Sequence, residues 1–255
     1  MQAFIVTGCS RGLGLALTRQ LLAEQHEVVG VARHAPPDLA AWQSAGRFQF
    51  IAADLADSQA LAGLMTRALA ALGKAPYSRL SLINNAGVIT PVAQAGDYPP
   101  EQLIRALAIN LTAPMLLSNA LLKQGPALSP ALSILNISSG AAAHAYPGWG
   151  VYGAGKAAVD HFSRHVALEQ STRKQPARIV ALYPGVVDTD MQSAIRASDQ
   201  HDFPQRARFD ELKRDGALSS PELCARRILS YLHSADFASQ PVVDLRTLPI
   251  FQTET

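Results

Sequence analysis

The sequence has only two cysteines in 255 residues, Cys9 and Cys224, far apart in the chain. Two distant thiols support neither a disulfide framework nor a cysteine-rich metal site, and they suit a reducing cytoplasm. Aromatic residues are sparse at 6%, and charged residues make up 16%, with 22 basic side chains against 20 acidic ones. A formal charge of +2 leaves no basic footprint for nucleic acid and no acidic face for a cationic partner. Long apolar runs are missing as well. The longest, Leu103 to Leu122, is broken by Arg105, Asn110, Pro114 and Asn119, which argues against a membrane span. The first residues, MQAFIVTG, carry no basic n-region and run straight into a strand and turn, so no signal peptide is expected. Linkers, internal repeats and low-complexity segments are also absent from the sequence.

What the chain does have is 48% hydrophobic content over a length that suits one large domain, residues 1–255. Strand-like apolar runs alternate with helical segments six times. That order predicts an α/β fold, a single-domain Rossmann-type doubly wound parallel sheet flanked by helices, with function at the carboxyl ends of the strands.

The first strand, AFIVTG, leads through Gly8, Gly12 and Gly14 into the amphipathic segment LGLALTRQLLAEQ. Glycines in such a turn allow close backbone approach to a pyrophosphate, and a helix N-terminus offers unpaired N–H groups. Ser10, Arg11 and Leu13 complete this cradle. The second strand, HEVVGVAR, ends in Arg33 where a ribose-binding site carries an acid. An arginine there accommodates a 2′-phosphate, with Arg11 as a second partner, so NADP(H) is expected rather than NAD. FQFIAADL, the third strand, ends in Asp54-Leu55, where the carboxylate is placed to accept from an adenine amino group. Ser58 then reads as the cap of a helix running to about Leu72. SLINNAGV follows as a fourth strand ending in Asn84-Asn85-Ala86-Gly87, small residues that let a cofactor pack against backbone. A helical region from Pro100 to Lys123 contains Asn110 on an apolar stretch, which predicts a buried, hydrogen-bonded amide.

Tyr152 and Lys156 stand four residues apart at the start of a helical segment and share one of its faces. An ammonium roughly 5 Å from a phenol at an effective dielectric near 20 favours the phenolate by about 3 kcal/mol, or roughly two pKa units. That brings the phenol toward the pH at which proton transfer is efficient. Ser139, just past the strand-like LSILNIS, is placed to meet them over one substrate oxygen. By itself the Tyr-x3-Lys spacing also describes a surface helix pair. A competing motif, Gly8-Cys9-Ser10-Arg11-Gly12, matches the nucleophile elbow of serine hydrolases, with Asp188 and His201 or His233 following in order. Against it, the elbow falls on the first strand and leaves Thr7 and Gly14 unexplained. His161 and His165 have zinc-helix spacing, but HFSRH lacks the glutamate of H-E-x-x-H, so no metal is expected.

Taken together, these residues resemble the short-chain dehydrogenase/reductase family over nearly the whole chain. The resemblance rests on Thr7-Gly8-x3-Gly12-x-Gly14, Asn84-Asn85-Ala86-Gly87, Asn110, Ser139, Tyr152-x3-Lys156 and Pro184-Gly185-Val186-Val187-Asp188-Thr189. It implies a catalytic tetrad of Asn110, Ser139, Tyr152 and Lys156, with a nicotinamide dinucleotide as hydride donor. In it Tyr152 protonates the carbonyl oxygen and Ser139 hydrogen-bonds it. Lys156 lowers the tyrosine pKa and holds the nicotinamide ribose, while Asn110 seats a water linking Lys156 to solvent. Asn85, Ala86, Gly87, Tyr152, Lys156, Pro184, Gly185, Val187 and Thr189 join the cofactor site, the last two at the carboxamide. The ending FASQPVVDLRT is similar to that of sepiapterin reductases and the related bacterial benzil reductases. In the sepiapterin enzymes an aspartate on the last strand anchors the pterin, and Asp244 is the matching position. The alternative is that Asp244 caps the strand or pairs with Arg246.

Met191 to Ser220 is polar and rich in both charge signs, which predicts a mobile substrate flap with a solvated outer face (191–220). Trp149, Tyr146, His144 and Met191 are candidate pocket residues. The reading is an NADPH-dependent carbonyl reductase for a pterin-like or aromatic ketone or diketone. Its binding-class alternative is a non-catalytic NADP(H) sensor. A homodimer or homotetramer, cytoplasmic, with no nucleic-acid or membrane partner, completes the expectation.

Overall fold

In the computed structural model, which describes residues 1–36, 40–73 and 76–248, seven strands form one parallel sheet in the order β3-β2-β1-β4-β5-β6-β7. The strands are β1 Ala3–Thr7, β2 Glu27–Ala32, β3 Phe48–Ala52, β4 Leu80–Asn84, β5 Leu132–Ile137, β6 Arg178–Tyr183 and β7 Val242–Asp244. Every residue of β1, β4 and β5 is buried, as expected of central parallel strands covered on both faces. β1 sends Phe4 and Val6 to one face and Ala3 and Ile5 to the other.

On the first face pack α1 Gly12–Ala23 and α10 Pro221–His233, through Leu17, Leu21, Ile228 and Leu232. On the second lie α4 Leu64–Ala71, α6 Ala113–Gln124 and α7 Gly150–Ser171, with Met65, Leu117 and Val166 in contact with the sheet core. The remaining helices are α2 Ala40–Ser44, α3 Ser58–Leu61, α5 Pro100–Leu107, α8 Asp190–Arg196 and α9 Arg206–Arg214.

Two helix expectations are corrected. The segment from Ser58 is split into α3 and α4 by Gly63 at φ +73°, and the cap is Asp57, whose carboxylate accepts from Gln59 N–H. The Pro100–Lys123 segment is interrupted by a π-helical stretch, Ala108–Thr112, in which Ala113 N–H bonds to Ala108 C=O. Pro114 has no N–H to give Asn110 C=O, so the α-helical ladder cannot continue there. Pro100–Ala127 meets the length and composition of a membrane span, but here Ala106, Ile109, Ala113, Leu117 and Leu121 are buried within the fold.

The strand order reverses between β1 and β4, the point where open parallel sheets take ligands. Thr7 latches that point. Its Oγ accepts from Asn85 N–H at 3.0 Å and Ala86 N–H at 3.1 Å. Thr7→Val removes this acceptor, with an expected loss of about 1–3 kcal/mol in urea unfolding and near-native stability in Thr7→Ser. Unchanged stability in the valine variant would contradict the latch.

Candidate active site

The β1–α1 turn is pressed onto the β4 loop so tightly that side chains are excluded. A Cβ on Gly14 would lie 2.2 Å from Gly8 O and 2.4 Å from Asn85 Nδ2, and Gly8 itself has φ +70° with Ala86 Cα 2.9 Å from its would-be Cβ. Asn85 Nδ2 donates to Thr7 O and Gly8 O, holding the two loops together. α1 begins after Arg11 without a side-chain cap, so its first N–H groups face the turn free of such a partner. This cradle fits a pyrophosphate. Ser10 is half-buried at its rim, while Leu13, Leu55 and Val187 bury their side chains in the core, leaving only backbone for a cofactor.

Around the cradle, Arg33 is exposed just past the end of β2. Arg11 pairs with Asp190 at 2.9 Å, both exposed, tying the glycine turn to the start of α8. Thr189 lies over Gly12, where an added Cβ would stand 3.1 Å from Thr189 Cγ2, and Gly185, at φ +80°, is covered by the Arg246 side chain. Asp54 stands past the end of β3 with its carboxylate partly exposed. Its carboxylate is occupied by Ala56 N–H at 3.0 Å and Arg105 at 2.8 Å. Although burial works against ionisation, these hydrogen bonds and the charges of Arg105 and Arg33 hold its carboxyl below the ordinary value.

Tyr152 and Lys156 lie in the first turns of α7 and are both buried. Ser139 follows β5 and accepts from Ala141 N–H at 3.2 Å, and it acts to lower the pKa of the Tyr152 phenol. Lys156 Nζ donates to Ile137 O at 2.7 Å and stands 5.7 Å from the Tyr152 ring centre. Asn110 joins them across Gly87: a Cβ there would be 3.3 Å from Asn110 Oδ1 and 3.6 Å from Lys156 Nζ. The Asn110 side chain donates to Val88 O at 2.8 Å and accepts from Val88 N–H at 2.9 Å, so the amide is buried and paired as expected. Both its polar atoms serve the Val88 backbone; the atom of Asn110 freed of its helical partner is the backbone carbonyl.

The expected electrostatics of the pair need correction. Burial raises the Tyr152 phenol above its ordinary value, opposed by the Ser139 hydrogen bond. Lys156 is itself lowered by burial to about 8, opposed by the charge of Asp160. Charge acting on charge at a surface-like dielectric would favour the phenolate, but in this site desolvation is the larger effect. The phenol is therefore protonated at neutral pH, the state a proton donor needs.

Asp160 is a site residue that sequence reasoning missed. It is 2% exposed and accepts from Ser138 Oγ at 2.5 Å and from the Tyr183 phenol. Burial raises its pKa, while hydrogen bonds from Ser138 and Tyr183 and the charges of Arg164 and Lys156 counter the rise. An acid four residues beyond Lys156, on the same inward face, was the available signal.

The 191–220 stretch has a packed side as well as a polar one. It carries most of α8 and all of α9, and is pinned by Phe203 and Phe209, both buried against Trp149. Trp149 stacks on Phe203 at 4.6 Å and 9°, meets Phe209 at 5.3 Å, Tyr146 at 5.1 Å, and Tyr152 edge-on at 5.8 Å. These two anchors are not apparent in the polar composition of the stretch. Tyr146 and Met191 are partly buried in the same aromatic cluster. His144, exposed, lines a crevice of about 240 Å³ with Tyr146 and Trp149, beside the tetrad rather than over it.

Asp244 is engaged within the chain. It takes Arg246 in two contacts, at 3.0 and 2.6 Å, and caps the following turn through Arg246 N–H. The hydrolase partners do not assemble: Asp188 pairs with Lys213, His201 with Asp202, and His233 faces Glu24. His161 and His165 hydrogen-bond each other at 3.1 Å.

A dinucleotide cradle beside a buried proton donor is what hydride exchange at a carbonyl carbon requires, so the class is that of nicotinamide-dependent oxidoreductases. Comparison with known proteins agrees. The sequence profile of the short chain dehydrogenase family matches residues 2–200, and the chain belongs to that family. It is 36% identical to a benzil reductase ((S)-benzoin forming) of Bacillus subtilis over 232 residues, 91% of this chain and 93% of that protein. A sepiapterin reductase of Meriones unguiculatus is 34% identical over 254 residues, 94% of each chain. Among solved structures, the KRED1-Pglu enzyme superposes with a TM-score of 0.81 at 31% identity, covering 95% of this chain and 100% of that one.

Lys156 must keep its proton to stabilise a phenolate forming beside it, so carbonyl reduction is expected to fall as pH rises through about 8. Asp160→Asn removes a charge that raises the Lys156 pKa, and its expected effect is to move this alkaline limb of kcat/KM to lower pH. An unmoved limb would remove Asp160 from the site's electrostatics.

Proposed function

We propose that this chain is an NADPH-dependent carbonyl reductase of the cytoplasm, acting on aromatic ketones and above all on aromatic vicinal diketones. The observation that carries this reading is the buried Tyr152 phenol, with Lys156 Nζ anchored on Ile137 O and 5.7 Å from its ring centre. When bound, the nicotinamide supplies a hydride to the carbonyl carbon. Tyr152 gives its proton to the carbonyl oxygen, Ser139 orients that oxygen, and the Lys156 ammonium offsets the charge left on the phenol. A sensor would have no use for a proton donor desolvated and aligned in this way.

For the cofactor, Arg33 and Arg11 support a 2′-phosphate over a bare ribose. For the substrate, the aromatic wall of Trp149, Tyr146 and Met191 favours a flat apolar molecule. The relatives named benzil reductase support a diketone. The pterin-like reading draws on those named sepiapterin reductase, but requires Asp244 to leave Arg246.

NADPH oxidation by wild type, Tyr152→Phe and Arg33→Ala against benzil, acetophenone, an aliphatic ketone and sepiapterin tests this. Benzil is expected to turn over fastest, and Tyr152→Phe to lose about 10²–10⁴-fold. Arg33→Ala is expected to weaken NADPH by roughly tenfold and leave NADH unchanged. Preference for the aliphatic ketone, or equal losses for both cofactors, would overturn the corresponding part.

The same reading includes a homodimer or homotetramer. Ile104, Met115, Leu116 and Leu168 are 66%, 39%, 44% and 71% exposed on α5, α6 and α7, apolar surface that suits a second copy. Light scattering is expected to give a multiple of 27.2 kDa, and the Ile104→Glu, Leu168→Glu double variant a monomer. A monomeric wild type would refute it.

A further inference from the structure

At the amino-terminal edge of the sheet, away from the tetrad, three side chains from two segments, the α1–β2 turn and the end of α10, bring donor atoms to one point. Glu24 follows α1, His26 immediately precedes β2, and His233 ends α10. Oε2 of Glu24 lies 3.7 Å from Nε2 of His26 and 3.7 Å from Nε2 of His233. All three donor atoms fall within 4.8 Å of one another. Ligand atoms bound tetrahedrally at about 2.0 Å stand roughly 3.3 Å apart, so small side-chain rotations bring this set to coordination distance.

The surroundings suit such a role. Glu24 Oε1 accepts from Gln20 Nε2 at 3.0 Å, which fixes the carboxylate and leaves Oε2 to the imidazoles. The Phe4 ring packs against both imidazoles, with centroids at 5.3 and 6.1 Å, and so sets their planes. The three side chains are 37%, 17% and 28% exposed, open enough for an ion to enter with water as a fourth ligand.

The donor set narrows the choice of ion, while the rim's charge opposes every divalent cation alike. The Met1 amino group opposes positive charge at His26, and Arg79 does so at His233. A single carboxylate gives little for a hard ion such as Mg²⁺ or Ca²⁺, which needs an oxygen-rich shell. Two imidazoles and a carboxylate instead match the donors of zinc-like ions.

We propose that Glu24, His26 and His233 form a binding site for a divalent transition-metal ion of the zinc type, which clasps the end of α10 to the end of α1. The ligands come from positions 24, 26 and 233, so no local motif announces them. The ion ties the last long helix to the first βα unit, and its effect is on stability rather than on turnover.

The untagged full chain, stripped with chelator and titrated with ZnCl₂ by calorimetry and thermal melting, tests this. One ion per chain, a raised Tm and unchanged basal reductase turnover are expected, with no Tm rise from MgCl₂. His26→Ala and His233→Ala are each expected to weaken Zn²⁺ at least tenfold and abolish the Tm rise, while His161→Ala retains both. Glu24→Gln preserves shape and removes the anionic ligand, so it is expected to weaken binding even if a histidine variant folds poorly. Co²⁺ in place of Zn²⁺ is expected to give a four-coordinate visible spectrum that the Glu24 and His233 variants lose. Absence of Zn²⁺ binding, binding indifferent to these variants, or loss of binding in His161→Ala would overturn the site.

Discussion

The structure depends on the removal of one phenol and one ammonium from water. Tyr152 and Lys156 are each less than a tenth exposed, and burial pushes both toward their neutral forms. Such a pair is costly unless every remaining polar contact is made. Ile137 C=O receives the ammonium, Ser139 acts to lower the pKa of the phenol, and Asp160 adds a negative charge one helical turn away, itself held by Ser138 and Tyr183. The result is a proton donor kept in its acid form next to a cation that favours its conjugate base.

The fold exists around this arrangement in a specific way. Parallel pairing brings the ends of β4, β5 and β6 side by side, so Gly87, Ser139 and the Pro184 loop border one space. Behind them Asn84, Asn136, Ser118 and Ser163 form a buried amide and hydroxyl chain that fixes the strand ends against α6 and α7. The π-helical stretch carries Asn110 to Gly87, and Pro114 makes that irregularity obligatory by withholding a donor. On the other side of Gly87 the glycine turn presses onto Asn85 and Ala86, so cofactor cradle and proton donor share one loop as their wall.

What is legible in the sequence is what short spacing encodes. The glycine turn, the Tyr152–Lys156 face, the strand-helix alternation and the placement of the candidate residues at strand ends all follow from local pattern. What is not legible depends on partners distant in sequence or on burial. The Arg105 contact of Asp54 is hidden because the two residues lie 51 apart. Phe203 and Phe209 are inconspicuous in a charged stretch, though they pack it against Trp149. The direction of the Tyr152 shift is hidden for the same reason: a charge four residues off is visible in sequence, whereas desolvation is a property of the whole fold. The contact of Asp244 with Arg246 is one of two alternatives open in sequence, and it is seen only in the fold.

The most direct test is the ionisation of Tyr152 itself, read as the phenolate absorbance of wild type minus Tyr152→Phe across pH. Burial as the governing effect predicts no phenolate from this residue at neutral pH and its appearance only above the ordinary tyrosine value of about 10. A phenolate titrating near pH 7 would mean that the lysine charge outweighs desolvation, and would contradict the role of Tyr152 as a resident acid.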